Sequence, residues 1–191
     1  MNPILLKGRK VIGVEGYILG EFNDLHVDFT SWQATAFYVI LSDEAAAELD
    51  FKKPFLRKVV VCLPTKLIKV VGDIITLTAP IRNLKDVAEN EVDVKTLRIE
   101  GKKVVNPSGK AIGTVEGLDI NVDTWKVTGL EVGLTDEAAG ELGFKRPVLS
   151  KVVVVIPSSA VGEVENFVTL HKAVGDVKSL VECIQSCRLR E

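Results

Sequence analysis

The chain is written twice, and whatever fold its first half adopts its second half must adopt as well. LSDEAAAELDFKKPFLRKVVVCLP, residues 41–64, returns as LTDEAAGELGFKRPVLSKVVVVIP, residues 134–157. The offset is 157 − 64 = 93 residues, and the same shift carries Trp32 onto Trp125. Sliding the whole sequence by that amount aligns it without a gap, with Gly8 on Gly101, Gly16 on Gly109, Gly20 on Gly113 and Leu77 on Leu170. Roughly 30 of about 80 paired positions are identical, which marks a tandem duplication. The period is too long for a solenoid repeat and matches a small domain, so the chain reads as two domains, residues 5–90 and 98–191, joined by a charged segment at 91–95.

Each copy opens with strand patterns. Leu25, Val27 and Phe29 alternate with His26 and Asp28, and Leu118, Ile120 and Val122 alternate with Asp119, Asn121 and Asp123. A period of two with one polar face is a half-buried antiparallel strand. NPSGKAIG, residues 106–113, supplies the proline and glycines of a tight turn, and Thr30-Ser31 and Asp123-Thr124 mark the next turns.

The twice-written stretch begins with a short helix. Ser42 and Thr135 are N-caps, and the acids that follow, Asp43-Glu44 and Asp136-Glu137, face the positive end of the helix dipole. Ala45, Ala46 and Leu49 share one face, which lies over a sheet. Gly143 stops the second helix in the left-handed conformation with Phe144 behind it, and Asp50 and Phe51 do this in the first copy. Pro54 and Pro147 forbid continuation.

Val59 to Leu63 and Val152 to Ile156 are apolar without alternation and read as strands covered on both faces. Residues 74–78 and 167–171 resume strand character, giving five or six strands per copy. The closing segments read as helices: a short one at 83–89, and a longer one at 176–188 with Val177, Leu180, Val181, Ile184 and Cys187 at helical spacing. The expected fold class is therefore mainly β: two tandem small β-barrels, each with a short inserted helix and a C-terminal helix, because closure removes edge strands.

Composition narrows the function. A net charge of −2 and a pI of about 5.8 lack the broad cationic field of most nucleic-acid binders, which makes nucleic acid the less favoured partner. No apolar run is long enough to span a bilayer, and the N-terminal hydrophobic patch is too short for a secretory signal, so a cytoplasmic location is expected. Cys62, Cys183 and Cys187 form no disulfide framework; Cys62 stands where the other copy has Val155, a small apolar position.

The openings GRKVIGVEGYILGEFNDLHVD and GKKVVNPSGKAIGTVEGLDINVD, followed by the helix and the apolar strand, resemble the photosynthetic-reaction-centre barrel, or PRC-barrel, family in its archaeal tandem form. The resemblance covers almost the whole chain. It implies a small β-barrel used as an adaptor rather than an enzyme, such as the domain found in the reaction-centre H subunit and at the end of a ribosome-maturation protein. It further implies kinship with archaeal CdpB-like cell-division factors that act with the adaptor SepF at the FtsZ ring. Expected partners are then a SepF-like adaptor and related PRC-barrel proteins, in a homo- or hetero-dimer or a higher assembly recruited to the division site. The alternative is an RNA-binding or ribosome-maturation accessory factor.

The residues themselves suggest no catalytic, metal or cofactor set. The acidic pairs at the helix starts serve as caps rather than converging on one point. His26 and His171 align with Asp119 and Thr78, so neither is repeated, and both read as surface positions. Cys183 and Cys187 lie four apart without a histidine or third cysteine near them in sequence. No GxGxxG or P-loop string occurs. The candidate partner-binding residues are the basic ones beside the proline turn, Lys52, Lys53, Arg57 and Lys58 in the first copy and Lys145, Arg146 and Lys151 in the second. They would receive an acidic peptide, a lipid headgroup or an RNA phosphate.

Overall fold

The computed structural model describes residues 1–52, 57–90, 98–144, 151–171 and 182–183. The chain divides into two compact bodies. One holds the described residues of Pro3–Leu97 with Val122–Lys126; the other holds those of Met1–Asn2, Arg98–Asn121 and Val127–Glu191.

In the first copy the strands are β1 (Lys10–Ile12), β2 (Ile18–Asp28), β3 (Gln33–Leu41), β4 (Val60–Pro64), β5 (Ile68–Val71), β6 (Ile74–Leu77) and β7 (Glu89–Asn90), with α1 (Asp43–Glu48) between β3 and β4. They are hydrogen-bonded in the order β7-β4-β3-β2-β1-β6-β5. The pairs are antiparallel except β1 with β6, which run parallel. In the second copy β8 (Lys103–Val105), β9 (Ala111–Asn121), β10 (Lys126–Leu134), β11 (Val153–Pro157), β12 (Val161–Val164), β13 (Val168–Leu170) and β14 (Glu182–Cys183) follow the order β14-β11-β10-β9-β8-β13-β12, with α2 (Asp136–Glu141) before β11.

The register repeats with the sequence. Ala36 faces Pro64 and Gly129 faces Pro157; Val11 faces Ile75 in the parallel pair and Val104 faces Val168. The fold is mainly β, as expected. Among the described residues the end strands β5 and β7, and likewise β12 and β14, do not pair with each other, so each sheet is an open path rather than a hydrogen-bonded closed barrel.

The core of the first copy is built from the inward positions of β2, β3 and β4. Leu19, Phe22 and Leu25 meet Phe37, Val39, Val61 and Leu63, all buried, and the Phe22 and Phe37 rings stack with centroids 6.2 Å apart. Burying a side chain of this size contributes about 1.5–3 kcal/mol, which makes the alternation the main determinant of strand register.

Both helices start and stop as their sequences require. Ser42 Oγ accepts from the Ala45 N–H at 3.1 Å and Thr135 Oγ1 from the Ala138 N–H at 3.2 Å. Asp50 and Gly143 adopt φ of 60° and 78°, and the Phe51 and Phe144 N–H groups donate back to the Ala46 and Ala139 carbonyls, both at 2.9 Å. Ala45, Ala46 and Leu49 are buried, as are Ala138, Ala139 and Leu142.

Three expectations are corrected. The segment at 83–89 is not a helix: a 3-10 turn, Ile81–Leu84, leads into β7, which pairs with the open edge of β4. The helix expected over 176–188 gives way at Glu182–Cys183 to β14, which pairs with β11 as β7 pairs with β4; the rest of that span, Cys187 included, lies outside the described residues. An edge strand with unpaired N–H and C=O groups gains more from two residues of ladder than a short amphipathic turn supplies. Finally, β11 alternates, with Val153 and Val155 half-buried, rather than being covered on both faces. The described residues thus provide seven strands per copy rather than five or six. No helix among them is long and apolar enough to cross a membrane.

Candidate binding cleft

β2 and β3 approach closely at Gly20. A Cβ there would lie 2.0 Å from the Ile40 carbonyl oxygen, so only glycine permits this pairing. β3 then leaves the sheet through Ser42, whose N–H donates to the Leu19 carbonyl at 2.9 Å, while the Leu41 N–H donates to the Val59 carbonyl at 2.9 Å. The exit of β3 into α1 opens a cleft of about 340 Å³ between the start of β2, the first turn of α1 and the segment entering β4. Ile18, Ile40, Ala46 and Val59 give it apolar walls, and Lys10, Glu21, Asp43 and Lys58 stand around it.

The cleft continues onto a solvent-facing part of the sheet. One register row runs Val60, Ile40, Glu21, Lys10, Ile74, and the next runs Ile18, Ile12, Thr76, Val70. Ile18, Val70 and Ile74 are 46%, 52% and 46% exposed, and Tyr17 beside Ile18 is 71% exposed. Side chains at facing positions of adjacent strands are immediate neighbours, so these residues form one apolar surface with Lys10 and Glu21 set within it.

The second copy has the same backbone there and a different surface. The counterparts of Ile18, Ile40 and Val70 are Ala111, Gly133 and Glu163. The counterpart of Lys58 is Lys151, which forms an ion pair with Glu116 at 3.3 Å. Tyr17 is replaced by Lys110, which bridges the turn before β9 to α2 through Glu137, at 3.0 Å, and Glu141. Hydrogen bonds from Lys110 to Glu141 first, then to Glu137, hold its ammonium above the usual lysine range.

Of the basic residues singled out by sequence, Lys52, Arg57, Lys58 and Lys151 are exposed, and Lys58 lies at the cleft. Lys53, Lys145 and Arg146 lie outside the described residues. His171 is exposed, but His26 is half-buried, its Nδ1 3.3 Å from the hydroxyl of the buried Tyr38. Cys62 is buried as a small apolar residue. Among the described residues no group of three or more His, Cys, Asp and Glu side chains could hold a metal ion. The residues that sequence reasoning passed over are Ile18, Ile40, Val70 and Ile74. For Ile18, Ile40 and Val70 the signal was available as an exchange for alanine, glycine and glutamate between two otherwise similar copies; Ile74 is matched by Phe167, which is 50% exposed.

No family model matches the chain, and no curated protein does. Among solved structures it is similar to a 16S ribosomal RNA processing protein, RimM, from Pseudomonas aeruginosa, at 10% identity and a TM-score of 0.26, over 78% of this chain and 94% of that one.

Proposed function

We propose that this chain is a non-enzymatic adaptor that works by binding another protein. The observation that supports this is the first-copy cleft, whose apolar walls open onto the exposed side chains Ile18, Val70 and Ile74. Apolar residues gathered at one concave place on a surface are the usual sign of a partner site. The opening motif that carries the PRC-barrel resemblance supplies Lys10, Ile18, Gly20 and Glu21 of that cleft, so the narrower form of the reading is an archaeal, CdpB-like division adaptor whose partner is SepF-like or a related PRC-barrel protein. Sedimentation of the full chain at micromolar concentration, alone and with a SepF-like adaptor, tests it. The expected result is a self-assembly or a complex that Ile18→Ser with Ile74→Ser removes. A strictly monomeric chain that ignores both kinds of partner overturns it.

A second reading has an observation of its own: Lys52, Arg57 and Lys58 are all exposed, and Lys58 lines the cleft. As an RNA-binding accessory factor the chain would bind RNA with an affinity that falls steeply with salt, since each neutralised phosphate releases counterions. Reversing the charge of those three residues would flatten that dependence; binding that is unchanged by the reversal removes this reading.

A further inference from the structure

Each copy ends its strand path with a four-residue strand, β5 in the first and β12 in the second. Among the described residues each of these pairs on one side only, with β6 and with β13. Such an edge presents main-chain N–H and C=O groups that a further strand can pair with, and charged side chains are the usual protection against it. The two edges are charged with opposite signs. In the first copy Lys66, just before β5, and Lys69 within it are exposed and outnumber Asp73 in the turn that follows. In the second copy Ser159, Gly162 and Asn166 stand at those three places, and Glu163 and Glu165, both exposed, replace Val70 and Gly72. The strands next to the edges, β6 and β13, carry no charged residue, and His171, exposed, lies beside Gly162. The cations farther in recur in both copies, Arg9 and Lys10 in the first and Lys102 and Lys103 in the second, so the contrast lies in the edge itself.

We propose that β5 of one chain pairs with β12 of another, so that the protein associates head to tail with copies of itself. This deepens the adaptor reading by naming a second copy as a partner, and it rests on that reading. The partner follows from the signs of the charges. β5 against β5 brings lysines together and β12 against β12 brings glutamates together, whereas β5 against β12 brings lysines to glutamates. The charges that protect each edge from its own kind therefore favour the one unlike pairing. Exposed ion pairs contribute little by themselves, and this pairing also draws on main-chain hydrogen bonds and apolar contact. Val70 on β5 is 52% exposed, with Ile74 46% exposed across the turn. Phe167 is 50% exposed and is held at the end of β12 by the Glu165 N–H, which donates to its carbonyl at 3.1 Å. An interface that uses a different edge on each partner leaves one β5 and one β12 free in the dimer, so association continues beyond two chains unless a ring closes.

The test is sedimentation velocity of the full chain over a concentration series at low salt. The wild type is expected to grow beyond the dimer as concentration rises, and to shift back towards monomer at about 1 M salt, where the Debye length is about 3 Å. Lys66→Glu with Lys69→Glu makes both edges acidic, and Glu163→Lys with Glu165→Lys makes both basic. Each double variant alone is expected to associate about tenfold more weakly or less still. Mixed in equal amounts, the two variants present unlike edges to each other and are expected to recover the association of the wild type, which misfolded chains would not do. A wild type that stays monomeric, reversals that leave its association unchanged, or a mixture that recovers nothing each overturn the proposal. A self-assembly that survives both reversals, or a monomer that still binds a SepF-like adaptor, removes this inference alone. A chain that neither associates nor binds a partner removes the adaptor reading with it.

Discussion

Substituting alanine at Gly20 separates two reasons for which this fold uses glycine. At Gly20 the added methyl would lie 2.0 Å from the Ile40 carbonyl oxygen and 2.9 Å from the Leu41 Cα, both main-chain atoms that no rotamer change can move. Carbon needs roughly 3.5 Å from such neighbours, so β2 and β3 must separate by more than about 1 Å at Gly20–Leu41 and Glu21–Ile40. Overpacking of this kind costs about 1–3 kcal/mol. The same displacement strains the Ser42 to Leu19 hydrogen bond, which adds about 1 kcal/mol. The expected loss is therefore about 3 kcal/mol. Gly8 provides the contrast. It has φ of 80° and nothing within 4 Å of where the methyl would sit, so Gly8→Ala costs only the left-handed penalty of about 1 kcal/mol. Urea unfolding of both variants, with hydrogen exchange to localise the change to β2 and β3, checks the difference. If Gly20→Ala lies within about 0.5 kcal/mol of Gly8→Ala, the close-approach argument is refuted.

Gly143→Ala should destabilise by about 1 kcal/mol, since φ there is 78° and the Schellman-type return of the Phe144 N–H depends on it; thermal unfolding measures this. Ser42→Ala and Thr135→Ala should each cost about 1 kcal/mol and by similar amounts, because the two caps have the same partner and nearly the same length; a large inequality in urea midpoints contradicts that. Asp119 predicts an acid limb. Burial raises its carboxyl, but hydrogen bonds from the Met1 ammonium and from Thr128 outweigh that and leave it below the usual range. A folded value below the unfolded one gives stability that is present above the ordinary aspartate range and lost as pH falls through the lowered value. The difference in urea midpoint between the wild type and Asp119→Asn should accordingly shrink as pH drops through that window.

The elements that sequence reasoning found are those whose causes are local. A cap oxygen reaches an N–H three residues on, a left-handed residue ends the helix beside it, and period-two alternation fixes which face of a strand turns inward. Ser42, Thr135, Asp50 and Gly143 all behave in this way. The misplaced elements are decided by distant partners. Glu89–Asn90 becomes a strand because β4 has an open edge, and nothing in residues 83–89 announces it. For Glu182–Cys183 the pattern of Val177, Leu180 and Val181 suggested a helix, and the duplication transfers the strand only once β7 is known from the structure, Glu89 aligning with Glu182 and β4 with β11. His26 shows the same limit. Its neighbour Tyr38 is twelve residues away, and only the β2–β3 register, with its irregularity after Phe22, brings ring and hydroxyl together.

The basic turn drew attention because it is repeated, and most of the cleft lining is repeated as well, the exchanges in kind falling at Ile18, Glu21 and Ile40. Repetition within a duplicated chain measures what the fold requires: Gly20 and Gly113 occupy the same close approach, and the parallel pairs β1–β6 and β8–β13 keep one register. A feature needed by the fold is needed twice, so similarity between copies cannot by itself indicate a partner site. Divergence is more informative when it is spatially ordered. On the outer face the half-buried Ile40 and the exposed Ile18 and Val70 give way in the second copy to glycine, alanine and glutamate, while the exposed Ile74 is matched by Phe167, itself 50% exposed. Exposed aliphatic surface promotes non-specific association and is normally kept small. The second copy shows that this fold forms without aliphatic side chains at the places of Ile18, Ile40 and Val70, so folding alone does not require them there.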